Sequence, residues 1–134
     1  MANTIFSHYI VEGKFETLIL IADTINLTVS RYKIEHILEH NLTGILESLG
    51  ASEMTEEGFV AGDWHDAKVV DGPHGVPVLS FMEDYNWIPS NAMEELAQSE
   101  SFANRIHGVF RASVDDEFEL VECTDKDRKY FICS

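Results

Sequence analysis

Between Ser30 and Leu49 apolar residues return every three or four positions, as Ile34, Ile37, Leu38, Leu42, Ile45, Leu46 and Leu49. That period lines one face of an α-helix, so the stretch needs a partner surface on which to bury its stripe. Gly50 suits a stop after it, and Ser30 suits a cap before it. Gly44, inside the run, costs about 1 kcal/mol relative to alanine and marks a point where the helix can break. Elsewhere the period changes. Thr4 to Val11 is rich in aromatic and β-branched residues, ends at Glu12-Gly13, and reads as a strand. Lys14 to Ile25 stays open: Phe15, Leu18, Ile19, Ala22 and Ile25 fit a helix, while Thr17 to Ile21 fits a buried strand.

The second half of the chain is mostly extended. Ala67–Val70 and Val76–Phe81 flank Asp71-Gly72-Pro73-His74-Gly75, a turn-rich loop that predicts a hairpin. Pro77 points to a strand start or an edge strand. Asn91 with Glu94 three residues on forms a capping-box pattern, so a helix is expected over roughly 91–102. Ile106 to Ser113 alternates as a strand, and Asp115-Asp116 breaks it. Phe118–Cys123 and Lys129–Cys133, separated by Thr124 to Asp127, predict a second hairpin. The order is strand, helices, two strands, helix, then two or three strands. Its expected solution is α+β, a mainly antiparallel sheet with helices on one face. At 134 residues, with no linker-like stretch and no repeat, residues 1–134 are read as one domain.

Charge bounds the partners. There are 24 Asp and Glu against 9 Lys and Arg, a formal charge of −15. Nucleic-acid phosphates and anionic membranes would be repelled, since both are bound through Lys and Arg. A basic protein, or no charged partner at all, is what remains. Met1-Ala2-Asn3-Thr4 has no basic residue before the apolar stretch, so a signal peptide is not expected. Leu18–Ala22 is too short to cross a bilayer. Asn26-Leu27-Thr28 and Asn41-Leu42-Thr43 match the glycosylation acceptor, which means little without secretion. Two cysteines, Cys123 and Cys133, make no disulfide framework, and reduced thiols in a cytoplasmic protein are expected.

A family resemblance enters here. Asn3 and Tyr9-Ile10-Val11-Glu12-Gly13 before a helix resemble the opening of the YubB-like ferredoxin-fold domains of plasmids, phages and mobile elements. Gly62-Asp63-Trp64-His65-Asp66-Ala67 before a hairpin, and Leu79-Ser80-Phe81 followed by Asn86-Trp87-Ile88-Pro89 before a helix, are similar to that family's middle. The resemblance runs in patches from about residue 3 to residue 132. It implies a ferredoxin-like sandwich and no established reaction. The stretch from Leu27 to Thr55 looks longer and more helical than that pattern, as a helical insertion at about 27–55 would be.

Several patterns invite chemistry. His36-Ile37-Leu38-Glu39-His40 has the H-x-x-E-H order of inverted zinc peptidases, with His36 and His40 on one helix face and Glu39 as a base. Glu117, Glu119 or Glu122 could complete the ligand set of a small metal-dependent hydrolase. The chain is far smaller than enzymes of that class, so the pattern reads better as an accident. His8, His65, His74 and His107 are isolated, although His65 and His74 could meet across the first hairpin. No nucleophile elbow and no Gly-rich phosphate loop is present. Asp125-Lys126-Asp127-Arg128 starts like a calcium loop but lacks its later ligands. No cofactor is called for.

The acidic residues are informative as a group. Asp115, Asp116, Glu117, Glu119, Glu122, Asp125 and Asp127 crowd the terminal strands, and Glu53, Glu56 and Glu57 form a second group. Such charge can merely keep faces solvated and sheet edges apart. It can also imitate nucleic acid toward a basic protein such as a nuclease. The expected function is a non-enzymatic, protein-binding accessory or inhibitory factor of a plasmid, phage or mobile element. In it the acidic tail makes the contact, and Trp64 and Trp87 either stabilise it by packing where helix and sheet meet, each indole N–H on a carbonyl, or line a ligand or partner groove. A homo-oligomer paired through a free sheet edge is a further alternative.

Overall fold

The computed structural model of the chain describes residues 4–35, 41–56, 62–86 and 91–132. The open choice after β1 (Thr4–Gly13) resolves as a helix, α1 (Phe15–Glu35). Leu18, Ile21, Ala22, Ile25 and Thr28 are buried at three-and-four spacing, the signature of one helix face against a sheet. Phe15 and Ile19 fall outside that stripe and are exposed. Thr24 and Thr28 donate back to the carbonyls of Leu20 and Thr24, which satisfies their hydroxyls inside the helix. At Gly13 the chain runs so close to Arg105 that a Cβ would strike its carbonyl oxygen.

The long period over Ser30–Leu49 falls on two elements and not on one helix. Ser30 lies inside α1, not at a cap, and Ile34 is exposed. The apolar half that buries is α2 (Leu42–Ser48), through Leu42, Ile45 and Leu46, with Gly44 inside it. A short turn of helix, α3 (Glu53–Glu56), follows. The expected insertion at about 27–55 therefore corresponds, where described, to the second half of α1, α2 and most of α3.

The first hairpin is as expected: β2 (Asp63–Asp71) and β3 (Pro77–Asn86) joined through a 3₁₀ turn, Pro73–Gly75. His74 and Gly75 take positive φ there, the conformation that the turn demands. Pro77 starts its strand, but β3 is internal, paired with β2 on one side and β1 on the other. α4 (Ala92–Gln98) is shorter than the expected 91–102. β4 (Ile106–Val114) and β5 (Leu120–Cys123) form the second hairpin. Its expected other arm, Lys129 onward, is instead a loop through Ile132.

All ladders are antiparallel, in the order β2-β3-β1-β4-β5. The protein is thus α+β, with a five-stranded antiparallel sheet. Tyr9, Val11, Leu79, Phe81, Trp64 and Ala67 share one sheet face and form a single core with the apolar residues of α1, α2, α3 and α4. Tyr9, Phe81 and Trp64 make an aromatic row across three strands, with ring centroids 4.9 and 4.8 Å apart.

One residue ties the helical segment to the sheet. The Asn41 side chain donates to Trp64 O at 2.6 Å and accepts from Trp64 N at 2.8 Å, while its own N–H reaches Asp63 at 3.0 Å. The amide thus behaves as a fragment of extra strand laid along β2. Asn41→Ala should cost about 2–3 kcal/mol, because both polar groups of the buried Trp64 backbone lose their partner. Urea unfolding measures it; a change within error of zero would show that the contact is dispensable.

Candidate functional site

The acidic residues expected to act together divide into three groups. Asp115, at the mouth of the β4–β5 hairpin, accepts the N–H groups of Glu117 and Glu119 at 2.9 and 3.0 Å. Its own N–H donates to Glu119 O, and Phe118 N–H to Asp115 O, both at 3.0 Å. These bonds hold Phe118 at φ 61 and leave its ring 82% exposed. Asp116, Glu117 and Glu119 stand exposed around it. The tip is a fixed knob with one aromatic ring among free carboxylates.

The second group centres on a buried arginine. Arg111, on β4 and 4% exposed, lies 3.1 Å from Glu94 of α4 and 3.1 Å from Glu122 of β5. The Glu122 contact is a directed hydrogen bond. The Glu94 contact has the distance of an ion pair but lies off the N–H axis. Tyr9 OH donates to Glu94 at 3.4 Å. Burial pushes the Glu94 carboxyl up, against the lowering effect of Arg111. Burial, then Glu83 and Glu94, push the Tyr9 phenol well above its usual value. The Glu94–Asn91 capping box is not formed, because Glu94 is spent on Arg111 and Tyr9. Close by, fully buried Glu83 accepts the Trp64 indole N–H at 2.5 Å, so that indole bonds a carboxylate and not a carbonyl.

The third group is the loop after β5. Asp125 is fully buried and accepts three main-chain N–H groups, from Lys129 at 3.0 Å, Tyr130 at 2.6 Å and Phe131 at 2.8 Å. Burial raises its carboxyl, but these donors outweigh burial and hold it below the usual range. The loop lies on the sheet face opposite the core: Lys129 and Tyr130 both donate to Glu12, Tyr130 packs on Phe110 and Phe131 on His8. Asp127 is exposed on it. Cys123, at the start of the loop, is disulfide-bonded, which corrects the expectation of two reduced thiols. The sequence holds one other cysteine, Cys133.

Trp64 is fully buried, so neither it nor Asp125 presents surface to a partner. Trp87 and the His36, Glu39 and His40 pattern lie outside the described residues. Among the described residues no three His, Cys, Asp or Glu side chains are grouped to hold a metal ion. None of the described helices is long and apolar enough to cross a membrane.

One constellation was missed in the sequence. His65 sits on β2 where the strand bulges, with Asp66 at φ 54. Its Nδ1 is 2.8 Å from Asp66 and its Nε2 3.1 Å from Asp84. The three line a shallow cleft with Asn26, Ser30 and Lys33 of α1. Burial alone would lower this imidazole, but the two carboxylates prevail and raise it. His74, its expected companion, lies at the turn end of the hairpin. A second cleft, of about 520 Å³, is lined by Glu94 and His107 among others, between α4 and β4.

No protein-family model matches the sequence, and no curated protein and no solved structure matches it.

Two measurements check this electrostatic layout. Arg111→Ala should destabilise the protein by about 3 kcal/mol, the lower end for a broken buried pair, because Glu122 can turn to water while Glu94 cannot fully do so. In an NMR titration, His65 should titrate above 6.5, and His8, lowered by burial and by Lys68, below it. For His65 the linked stability is complete below the unfolded value and is lost as pH rises through the raised one. Asp84→Asn should move the His65 midpoint down; an unmoved midpoint would remove Asp84 as its partner.

Proposed function

We propose that this chain is a non-enzymatic binding protein that captures a basic protein partner through the tip of its β4–β5 hairpin. The observation that carries the reading is the knob itself: an exposed Phe118 ring held by Asp115 and ringed by Asp116, Glu117 and Glu119. An exposed aromatic on a main chain already held in place makes a strong anchor, because the backbone loses little conformational entropy on docking. The surrounding carboxylates favour a partner rich in Lys and Arg and speed encounter with it. Glu122 and Asp125 serve this surface from behind, by fixing β5 and the following loop.

Within this reading the fold is ferredoxin-like. Strands β2-β3-β1-β4 with helices after β1 and β3 support that description, and β5 is an addition at the edge. The resemblance to YubB-like domains supports an accessory or inhibitory role on a mobile element. The disulfide at Cys123 favours an oxidising compartment over the cytoplasm as the site of action.

The test is a low-salt pull-down from the native host followed by a salt wash. The charge variant is Asp116→Asn with Glu117→Gln and Glu119→Gln, which spares Asp115 and Glu122. Capture should fall about tenfold or more in the charge variant, and also on washing, with thermal unfolding unchanged. Phe118→Ala should weaken capture by about 2 kcal/mol. Capture that resists both salt and the charge variant would sink the reading.

A further inference from the structure

The two edges of the sheet are treated differently. Along β2 the main chain is already occupied from outside: Asn41 takes Trp64 N–H and C=O, and Asn26 donates to Ala67 O at 2.9 Å. The strand also bulges between His65 and Lys68, with Asp66 at positive φ, which spoils it as a template. The opposite edge also shifts register, between Ser113 and Val114 of β4, but no side-chain amide covers it. Among the described residues β5 pairs with β4 alone, and no main-chain hydrogen bond outside that ladder involves Leu120, Val121 or Glu122. Leu120 and Val121 are 42% and 46% exposed there.

From this asymmetry we infer that β5 accepts an extended segment of the partner as a sixth strand. This rests on the binding role proposed for the hairpin and deepens it, because the knob and the edge are contiguous. Charge selects the occupant. Pairing β5 with β5 of a second copy would bring together two chains of −15, each with an exposed Glu119 just before β5, and like charges oppose association. Pairing it with β2 of a second copy would meet the positions that Asn26 and Asn41 fill. The segment that fits is extended, with Lys or Arg at alternate positions toward the carboxylates and apolar residues toward Leu120. Main-chain bonds would supply attachment, and alternate side chains selectivity.

A synthetic peptide alternating Lys and Val is the probe, titrated into the full chain at low salt and followed by amide NMR. The expected result is shifts and slowed exchange at Leu120 to Glu122. The same peptide N-methylated on the amides of one edge keeps its charge but cannot complete the ladder. It should bind about tenfold or more weakly, the effect of losing one or two main-chain hydrogen bonds. Equal binding of both peptides overturns the sixth strand while leaving charge-driven capture standing. No binding of either at low salt overturns both. A dimer of the chain alone in sedimentation, broken by Val121→Pro, would make a second copy the occupant and overturn the basic segment.

Discussion

Arg111 is the residue on which the far side of the molecule depends. It is buried on β4 and reaches Glu94 of α4 and Glu122 of β5, while Tyr9 of β1 closes the ring from below through Glu94. Taking a guanidinium out of water costs several kcal/mol, so the charge is tenable only because carboxylates and their own donors surround it. A planar, permanently charged group with several donors suits that task better than an ammonium would. The consequence is geometric. One helix and three strands must adopt one arrangement for the charges to be satisfied, which places β5 against β4 and aims the hairpin tip at solvent.

The same commitment sorts the acidic excess. Of the seven carboxylates between Asp115 and Asp127, three are taken up by the protein: Asp115 builds the turn, Glu122 faces Arg111 and Asp125 organises the loop. Asp125 repeats what a helix N-cap does, presenting one carboxylate to successive N–H groups. The loop it shapes then lays Tyr130 and Phe131 over β1 and β4, where Glu12, held below the usual carboxylate range because the Lys129 and Tyr130 donors outweigh burial, ties it down. That face of the sheet is partly covered by the chain itself, and of these seven carboxylates Asp116, Glu117 and Glu119 stand exposed at the tip and Asp127 on the loop.

The sequence carried the first hairpin and β4 well because they depend on local chemistry, whereas the strand expected from Lys129 is a loop through Ile132. The Asp71–Gly75 turn and the alternation in Ile106–Ser113 report on residues that sit next to one another. The helices were harder. The strongest period, Ser30–Leu49, merged the end of α1 with α2, since periodicity cannot see that Asn41 is pinned to Trp64, 23 residues away. The Asn91–Glu94 pair looked like a cap, yet Glu94 answers to Arg111 across the core. The His65 cluster was invisible for a similar reason: Asp66 is adjacent, but Asp84 arrives only through the β2–β3 register. Charge density located the acidic region and could not say which of its members were already engaged. Trp64 is where large aromatics usually are, though no pattern names Glu83 as its acceptor.

An open strand edge is a hazard for most proteins, because any other edge can pair with it. Here the hazard is handled in two ways at two places. β2 is closed by side-chain amides that imitate a neighbouring strand, a solution that works against any comer. β5 carries no such amides; on the proposed reading, the overall −15 and the exposed carboxylates at its hairpin tip would repel a second copy before its main chain could align. The difference matters because amide caps exclude every partner, whereas charge excludes one sign of partner. An edge guarded in that way would stay open to a segment of opposite sign, and protection against self-association and selection of a basic strand would then be the same physical property.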